Sequence, residues 1–326
     1  MDSKIINWGI IGAGKIASKF AADLNSVLNA KLYGIASRSI EKAQHFASEF
    51  GANKAYDSYE TLVLDSNVDA IYIATPHSFH KAHSVLCLNN KKPVLCEKPF
   101  AMDLEEVNEM ILLSKQNNTL LMEALWTAFL PHFQYVQDLI DRKHYGEVVR
   151  LEADFGFFTE YDENSRVFNK SLGGGSLLDI GIYPLFAVLS TLGQPSSIEA
   201  KAHFFPSGAD SECDIICHYD NAKAVLKSTL LEETKTEAIF HCEHGSIKIN
   251  SRFHEPSSVL LIDKFGNSEL KTFDYNTIGY SYEIEHFNQL IRDGKTESDL
   301  MTFERSQQLI STLDDIRALI GLGYSS

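Results

Sequence analysis

The chain has no surplus of positive charge: 29 lysines and arginines face 44 aspartates and glutamates across 326 residues, for a net charge of −15. Nucleic acids and anionic membranes are held by basic patches, so a general affinity for either is excluded. Any nucleotide ligand must be held by a few local donors. Cysteine is scarce. The five (Cys87, Cys96, Cys213, Cys217 and Cys242) are an odd number and lack a close CxxC pair, which argues against a zinc site or a structural disulfide. Cys213 and Cys217 stand four apart in a strand-like run, and core packing is expected of them. No His/Cys/acid cluster has ligand spacing, so no metal is expected. No apolar stretch approaches the ~18 residues of a membrane span, and Met1-Asp2-Ser3-Lys4-Ile5-Ile6 lacks a basic-then-apolar leader. A cytoplasmic location is the expectation. Low-complexity tracts and internal repeats are missing too.

What is present is ordinary globular composition, 44% apolar and 22% charged, at about twice a typical single-domain length. The first part alternates strand-like and helical runs: Ile5–Ile11, a helix to about Leu28, Lys31–Ala36, Glu41–Phe50, Asp69–Ala74, Pro93–Glu97 and Leu120–Ala124. Such alternation predicts parallel strands with crossover helices, a doubly wound α/β sheet. After about residue 145 strands follow one another: Val148–Phe158, Ser197–Phe205, Asp214–Tyr219, Ala222–Leu231, Glu237–His241, Ser246–Ile249 and Val259–Ile262. Val225-Leu226-Lys227-Ser228-Thr229-Leu230 alternates apolar and polar residues, which predicts a mostly antiparallel, open-faced sheet in an α+β domain. Helical stretches at Gly173–Leu192, Ser281–Ile291 and Phe303–Leu319 complete the pattern. Two domains are expected, residues 1–124 and residues 125–326.

Gly12-Ala13-Gly14-Lys15-Ile16-Ala17 is G-x-G-x-x-A between the first strand and the first helix. Gly12 permits the tight turn, Gly14 lets the backbone approach a pyrophosphate, and Ala17 lets the helix pack closely on the sheet. The helix N-terminus then receives the phosphates. At the end of the second strand, where NAD enzymes carry an acid for the ribose 2′-hydroxyl, stands Ala36-Ser37-Arg38-Ser39. An arginine between two hydroxyls suits a 2′-phosphate, so NADP is favoured, with NAD possible. Glu97-Lys98-Pro99 follows the strand Val94-Leu95-Cys96, placing Lys98 at the carboxyl edge of the sheet, where a lysine can polarise a carbonyl or exchange a proton with an alcohol. Pro99 fixes the turn, and a cis bond is compatible with it.

With Thr75-Pro76-x-x-x-His80 and Gly174-Gly175-x-Leu177-x-Asp179-x-Gly181, these motifs stand in the order and spacing of the Gfo/Idh/MocA oxidoreductases, which the whole chain resembles. Ala74–Ala82, Val94–Pro99, Met122–Thr127, Leu178–Tyr183 and Gly279–Glu283 are similar to the dimeric dihydrodiol dehydrogenase / NADP-dependent D-xylose 1-dehydrogenase branch. The resemblance implies a Rossmann domain, an open-faced sheet domain, substrate held between them, NADP, a homodimer through the sheet, and lysine plus tyrosine handling the proton. Tyr183 stands where sugar and inositol members often carry histidine, four residues beyond Asp179, and a nearby Lys⁺ would favour its ionised form.

The expected catalytic residues are Lys98, Tyr183 and Asp179. Gly12, Gly14, Lys15, Ile16, Ser37, Arg38, Thr75, Pro76, His80, Glu97, Lys98 and Trp126 are expected at the cofactor. Lys98, Trp126, Phe158, Asp179 and Tyr183 are expected at a small-molecule substrate. His77 lies on the same sheet edge as His80. Phe157, Phe158 and Tyr161 suggest an apolar wall, Trp126-Thr127-x-Phe129 a pocket wall, and Gly173-Gly174-Gly175-Ser176 a holder for a substrate oxygen. The reaction expected is reversible hydride transfer between nicotinamide C4 and a sugar, cyclic polyol or trans-dihydrodiol carbon, with an aldose such as D-xylose at C1 favoured. The rival is an NADP-binding redox sensor without turnover.

Overall fold

The computed structural model describes residues 4–324. The chain forms two compact units: one holds the described chain up to Trp126 together with Asn276–Gln307, the other Thr127–Tyr275 together with the described chain from Gln308 on.

In the first unit the elements run β1 (Ile6–Ile11), α1 (Lys15–Leu24), β2 (Ala30–Ala36), α2 (Ile40–Phe50), β3 (Lys54–Tyr56), α3 (Tyr59–Leu64), β4 (Ala70–Ile73), α4 (His80–Asn89), β5 (Val94–Glu97), α5 (Leu104–Asn117) and β6 (Leu121–Ala124). The strands form one parallel sheet in the order β3-β2-β1-β4-β5-β6. Every residue of β4, β5 and β6 is buried, as a sheet covered on both faces requires. On α1 the buried Ala17, Phe20, Ala21 and Leu24 recur at helical spacing and pack inward. Phe20 stacks on Tyr72 at 3.6 Å and meets Trp8 edge-on at 5.4 Å. Strand order reverses between β1 and β4, and in such sheets the ligand crevice opens at the carboxyl ends beside that reversal.

The second unit contains α6 (Pro131–Asp141), β7 (Val148–Gly156), α7 (Ile182–Leu192), β8 (Ser197–Phe204), β9 (Asp210–His218), β10 (Lys223–Thr229), β11 (Ala238–Cys242), β12 (Gly245–Ile249), β13 (Val259–Asp263) and β14 (Ser268–Lys271). Its eight strands are ordered β14-β13-β12-β11-β7-β10-β9-β8. All pairs are antiparallel except β7 with β10. Leu151, Ala153 and Phe155 of β7 and Ala224 and Leu226 of β10 are buried on the face that α7 covers. Cys213 and Cys217, both buried in β9, belong to the same packing.

One expectation is corrected here. The helical run Lys170–Leu192 is long and apolar enough to span a membrane, because glycine and serine interrupt it without lowering its hydropathy much; yet 89% of its apolar window is buried within the protein. It is a core segment. The opposite sheet face is only partly apolar. One cross-strand row carries Ile216, Val225, Ile239, Leu260 and Leu270 among Glu199, Glu152 and Lys248. The next alternates charge strictly, Lys201, Asp214, Lys227 and Asp154 in register.

After β14 come α8 (Tyr280–Arg292) and α9 (Phe303–Ile320). Residues Asn276–Gln307, placed with the second domain by sequence, pack instead with the first unit. The reason is local and polar. Asp23 of α1 accepts the backbone N–H groups of Ile278 (3.3 Å), Gly279 (3.0 Å), Tyr280 (2.8 Å) and Ser281 (3.3 Å), capping α8 from a distant helix. Gly279, at φ +117°, turns the chain into that cap. Asn288 accepts from the Trp8 indole at 3.1 Å, and Leu121 donates its N–H to Thr296 O at 3.3 Å.

Candidate active site

The glycine loop sits between β1 and α1 as its spacing predicts. Gly12 has φ +101°, and a Cβ there would come 2.8 Å from the Ala74 carbonyl oxygen. Gly14 precedes α1 with no side chain capping the helix, and a Cβ built on it meets no protein atom within 4 Å. Uncapped first-turn N–H groups behind an open backbone suit a pyrophosphate, so these residues fit a dinucleotide. Lys15 and Ile16 are exposed at the mouth, and Ala17 is fully buried under the sheet contact. At the end of β2, Ser37 is buried and Arg38 exposed. Ser39 is otherwise engaged: its hydroxyl accepts from Lys42 N (3.2 Å) to cap α2 and bonds Glu41 (2.7 Å).

Lys98 leaves the carboxyl end of β5 half-buried, and the Lys98–Pro99 peptide is cis. The turn is held from three sides. The Glu97 carboxylate takes the Tyr72 hydroxyl and, at 3.2 Å, the backbone N–H of Lys98. Glu123 of β6 accepts from Phe100 N at 3.0 Å and from Ser306 Oγ at 2.7 Å. Burial outweighs these bonds and pushes the Glu123 carboxyl up to about 7. His80 meets the Pro99 carbonyl through Nδ1 (2.8 Å) and the Thr75 carbonyl through Nε2 (2.9 Å). Two carbonyl acceptors favour a doubly protonated ring, but complete burial opposes charge more strongly and brings the pKa down to about 4. The expected place of His80 at the cofactor is therefore corrected: with 0% exposure it lies between the β4 exit and the Lys98 turn. Pro76 opens the short turn His77–Phe79 before α4, with His77 buried beside the His80 ring. Trp126 is 6% exposed and packs against Tyr280 at 4.5 Å.

In the second unit Asp179 lies in the widened helical turn Leu177–Gly181, and Tyr183 in the first turn of α7. Both are nearly buried, at 8% and 7% exposure. One Arg166 amino group donates to both Asp179 oxygens, at 3.1 and 3.3 Å. The Tyr183 ring packs against Phe155 (5.8 Å) and His254 (4.9 Å), and His254 stacks on Phe155 at 4.1 Å. Sequence reasoning missed Arg166 and His254, which carry no motif and become visible only as neighbours. Ser176 is corrected as a holder of substrate oxygen: it is fully buried and donates to Asp210 at 2.7 Å, as does Leu177 N. Gly175, at φ +126°, packs so closely on Asp210 that a Cβ would collide with it. Phe158 is 65% exposed, whereas Tyr161 belongs to a separate cluster with Phe168 (5.0 Å) and Phe205 (5.5 Å). Thr127 and Phe129 are core residues, Thr127 donating to the His254 carbonyl at 2.7 Å.

Comparison with known proteins identifies the family. Residues 6–125 match the model of the oxidoreductase family with an NAD-binding Rossmann fold, and residues 133–248 that of the GFO/IDH/MocA C-terminal domain. The chain is 35% identical over 327 residues to a trans-1,2-dihydrobenzene-1,2-diol dehydrogenase of Xenopus tropicalis, covering 97% of this chain and 98% of that one. It is 32% identical over 326 residues to the scyllo-inositol 2-dehydrogenase (NADP(+)) of Bacillus subtilis, covering 98% of each. The crystal structure of a 3-ketoreductase from Actinomadura kijaniata, in complex with NADP and TDP-benzene, shares the fold with a TM-score of 0.86 at 24% identity, covering 97% of this chain and 98% of that one. With both of its family models matched and relatives running its full length, the chain belongs to the Gfo/Idh/MocA oxidoreductases, the NAD(P)-dependent dehydrogenases and reductases of CH–OH groups.

Proposed function

We propose that the chain is an NADP-dependent dehydrogenase of a vicinal trans-diol carried on a six-membered ring: a trans-dihydrodiol, a cyclic polyol or the pyranose form of an aldose. The observation that carries the reading is Lys98, held at the carboxyl end of β5 by the buried Glu97–Tyr72 and His80–Pro99 contacts. That much buried machinery around one lysine suits a reacting group better than a surface charge. The relatives favour the substrate class, since trans-dihydrobenzenediol and scyllo-inositol both place adjacent trans hydroxyls on a six-membered ring. D-xylopyranose, oxidised at C1, carries the same arrangement.

The bound nicotinamide supplies the hydride acceptor or donor. Lys98 binds the reacting oxygen and withdraws charge from it, and Tyr183 or Lys98 carries the hydroxyl proton away during oxidation. Asp179 and its partner Arg166 hold the first turn of α7, and with it the Tyr183 hydroxyl. Phe158 presents a flat apolar face of the kind on which a ring substrate packs, and Trp126 would add only the small part of its ring that Tyr280 and the core leave uncovered. Arg38 and Ser37 select the 2′-phosphate. The apolar row on the open sheet face supports a homodimer through that face, and the overall charge supports a cytoplasmic enzyme without nucleic-acid partners.

The test is NADPH formation against trans-dihydrodiols, inositols and pentoses, with Lys98→Ala in parallel. Turnover on at least one class, falling about a hundredfold or more in the variant, is expected. Unchanged activity in Lys98→Ala sinks the mechanism, and tight NADP binding without turnover on any substrate replaces the enzyme with the sensor.

A further inference from the structure

The turn after β2 offers a 2′-phosphate less than its sequence suggests, because Ser39 is committed to capping α2 and to Glu41. Ser37 and Arg38 remain, one hydroxyl and one guanidinium for up to two negative charges. A neighbouring element can add a further donor, and α4 holds one. His83, one turn into α4, is half-buried, and its Nδ1 lies 3.0 Å from Thr75 Oγ1. The ring meets Tyr59, the first residue of α3, edge-on at 4.7 Å and stacks on Phe79 at 5.8 Å. Three contacts from three directions therefore fix its orientation.

Tyr59 and His83 are in ring contact, and the Arg38 charge is near enough to act on both. The ionisable groups facing the ring are Arg38 from the β2 turn, Tyr59 and Glu60 from α3, and His80 from its own helix. Burial is the largest of these influences and holds the imidazole below its ordinary pKa, hence neutral at pH 7. In a neutral ring whose Nδ1 accepts from the Thr75 hydroxyl, the hydrogen sits on Nε2. Among the described residues, Thr75 is the hydrogen-bond partner of His83, and it occupies Nδ1.

We propose that His83, oriented by Thr75, donates from Nε2 to the 2′-phosphate of NADP opposite Arg38 and is a determinant of NADP over NAD. The proposal rests on the reading of Arg38 as a 2′-phosphate ligand. It also gives Thr75 a definite part: it orients the imidazole instead of touching the cofactor.

The experiment measures dissociation constants of the full-length enzyme for NADP, NAD, 2′-AMP and 5′-AMP in the wild type, Arg38→Ala, His83→Phe and His83→Gln. Phenylalanine keeps the ring against Tyr59 and Phe79 but removes the donor; the glutamine amide returns an N–H near the Nε2 position. Expected are a loss of about tenfold for NADP and 2′-AMP in His83→Phe, less than about twofold for NAD and 5′-AMP, and substantial rescue in His83→Gln. Equal losses for NADP and NAD in His83→Phe, or no loss for either, overturn the role of His83. If the NADP:NAD ratio collapses in Arg38→Ala but survives in His83→Phe, only the histidine is refuted. A ratio unchanged in Arg38→Ala refutes the reading of Arg38 and the pairing with it.

Discussion

The two halves of the proposed machinery are held by different means. In the first unit, Lys98 is positioned through the main chain: Glu97 takes its N–H, His80 takes the Pro99 carbonyl, and Glu123 takes the Phe100 N–H. In the second unit side chains hold one another, Arg166 on Asp179 and His254 against Tyr183. A frame made through backbone resists change at the cost of fixing a single geometry. A frame made of side chains can be altered residue by residue without disturbing the fold. Chemistry common to many substrates belongs on the first kind, and discrimination between them on the second.

That contrast is most open to attack at Tyr183. Tyr183→Phe keeps the ring against Phe155 and His254, so turnover should fall about a hundredfold or more while the melting temperature stays within a degree or two. A matching loss of stability would place Tyr183 in the fold and erase the difference between the units. Asp23→Ala attacks the first unit through its backbone. Four N–H groups lose their acceptor, and urea unfolding should show a loss of about 2 kcal/mol. A neutral result would mean that the return of α8 does not depend on its cap.

A third test sharpens the comparison through pH. Glu123 titrates at about 7 in the folded chain, against an ordinary value of 4.5 when unfolded. The folded state therefore holds a proton that the unfolded state releases. This contribution is complete below pH ~4.5 and is lost as pH rises to about 7, by roughly 1.4 kcal/mol per pH unit. Glu123→Gln should flatten the stability profile over that window, and an unaltered slope would assign the titration elsewhere.

Much of the first unit was legible because its physics is local in sequence. Strands buried on both faces read as apolar runs, and the glycine loop announces itself between one of them and a helix. The α8 and α9 segments, expected at Ser281–Ile291 and Phe303–Leu319, occupy Tyr280–Arg292 and Phe303–Ile320. The short strands Lys54–Tyr56 and Ser268–Lys271 were missed, because three or four residues at a sheet edge show no period. The parallel pairing of β7 with β10 leaves no mark on either strand alone. Site residues were legible where a turn or helix terminus constrains residue type, as at Gly12, Gly14 and Pro99. They were hidden where a side chain arrives from elsewhere: Arg166, His254 and the ring of His83 carry no local signature. His80 misled for the same reason, since only the fold shows both of its nitrogens facing carbonyls.

The Asp23 cap also sets a timetable for biosynthesis. Its acceptor is made first, and the N–H groups it receives emerge from the ribosome more than 250 residues later, Gly279 being 256 positions downstream. Until then Trp8 lacks Asn288, and Leu121 at the sheet edge lacks the Thr296 carbonyl. The nascent sheet must wait, incomplete, through synthesis of nearly the whole second unit, for tens of seconds at elongation rates of about 5–20 residues per second. A fragment ending at Trp126 reproduces that waiting state, and chaperones would be expected to hold it where they release the full chain.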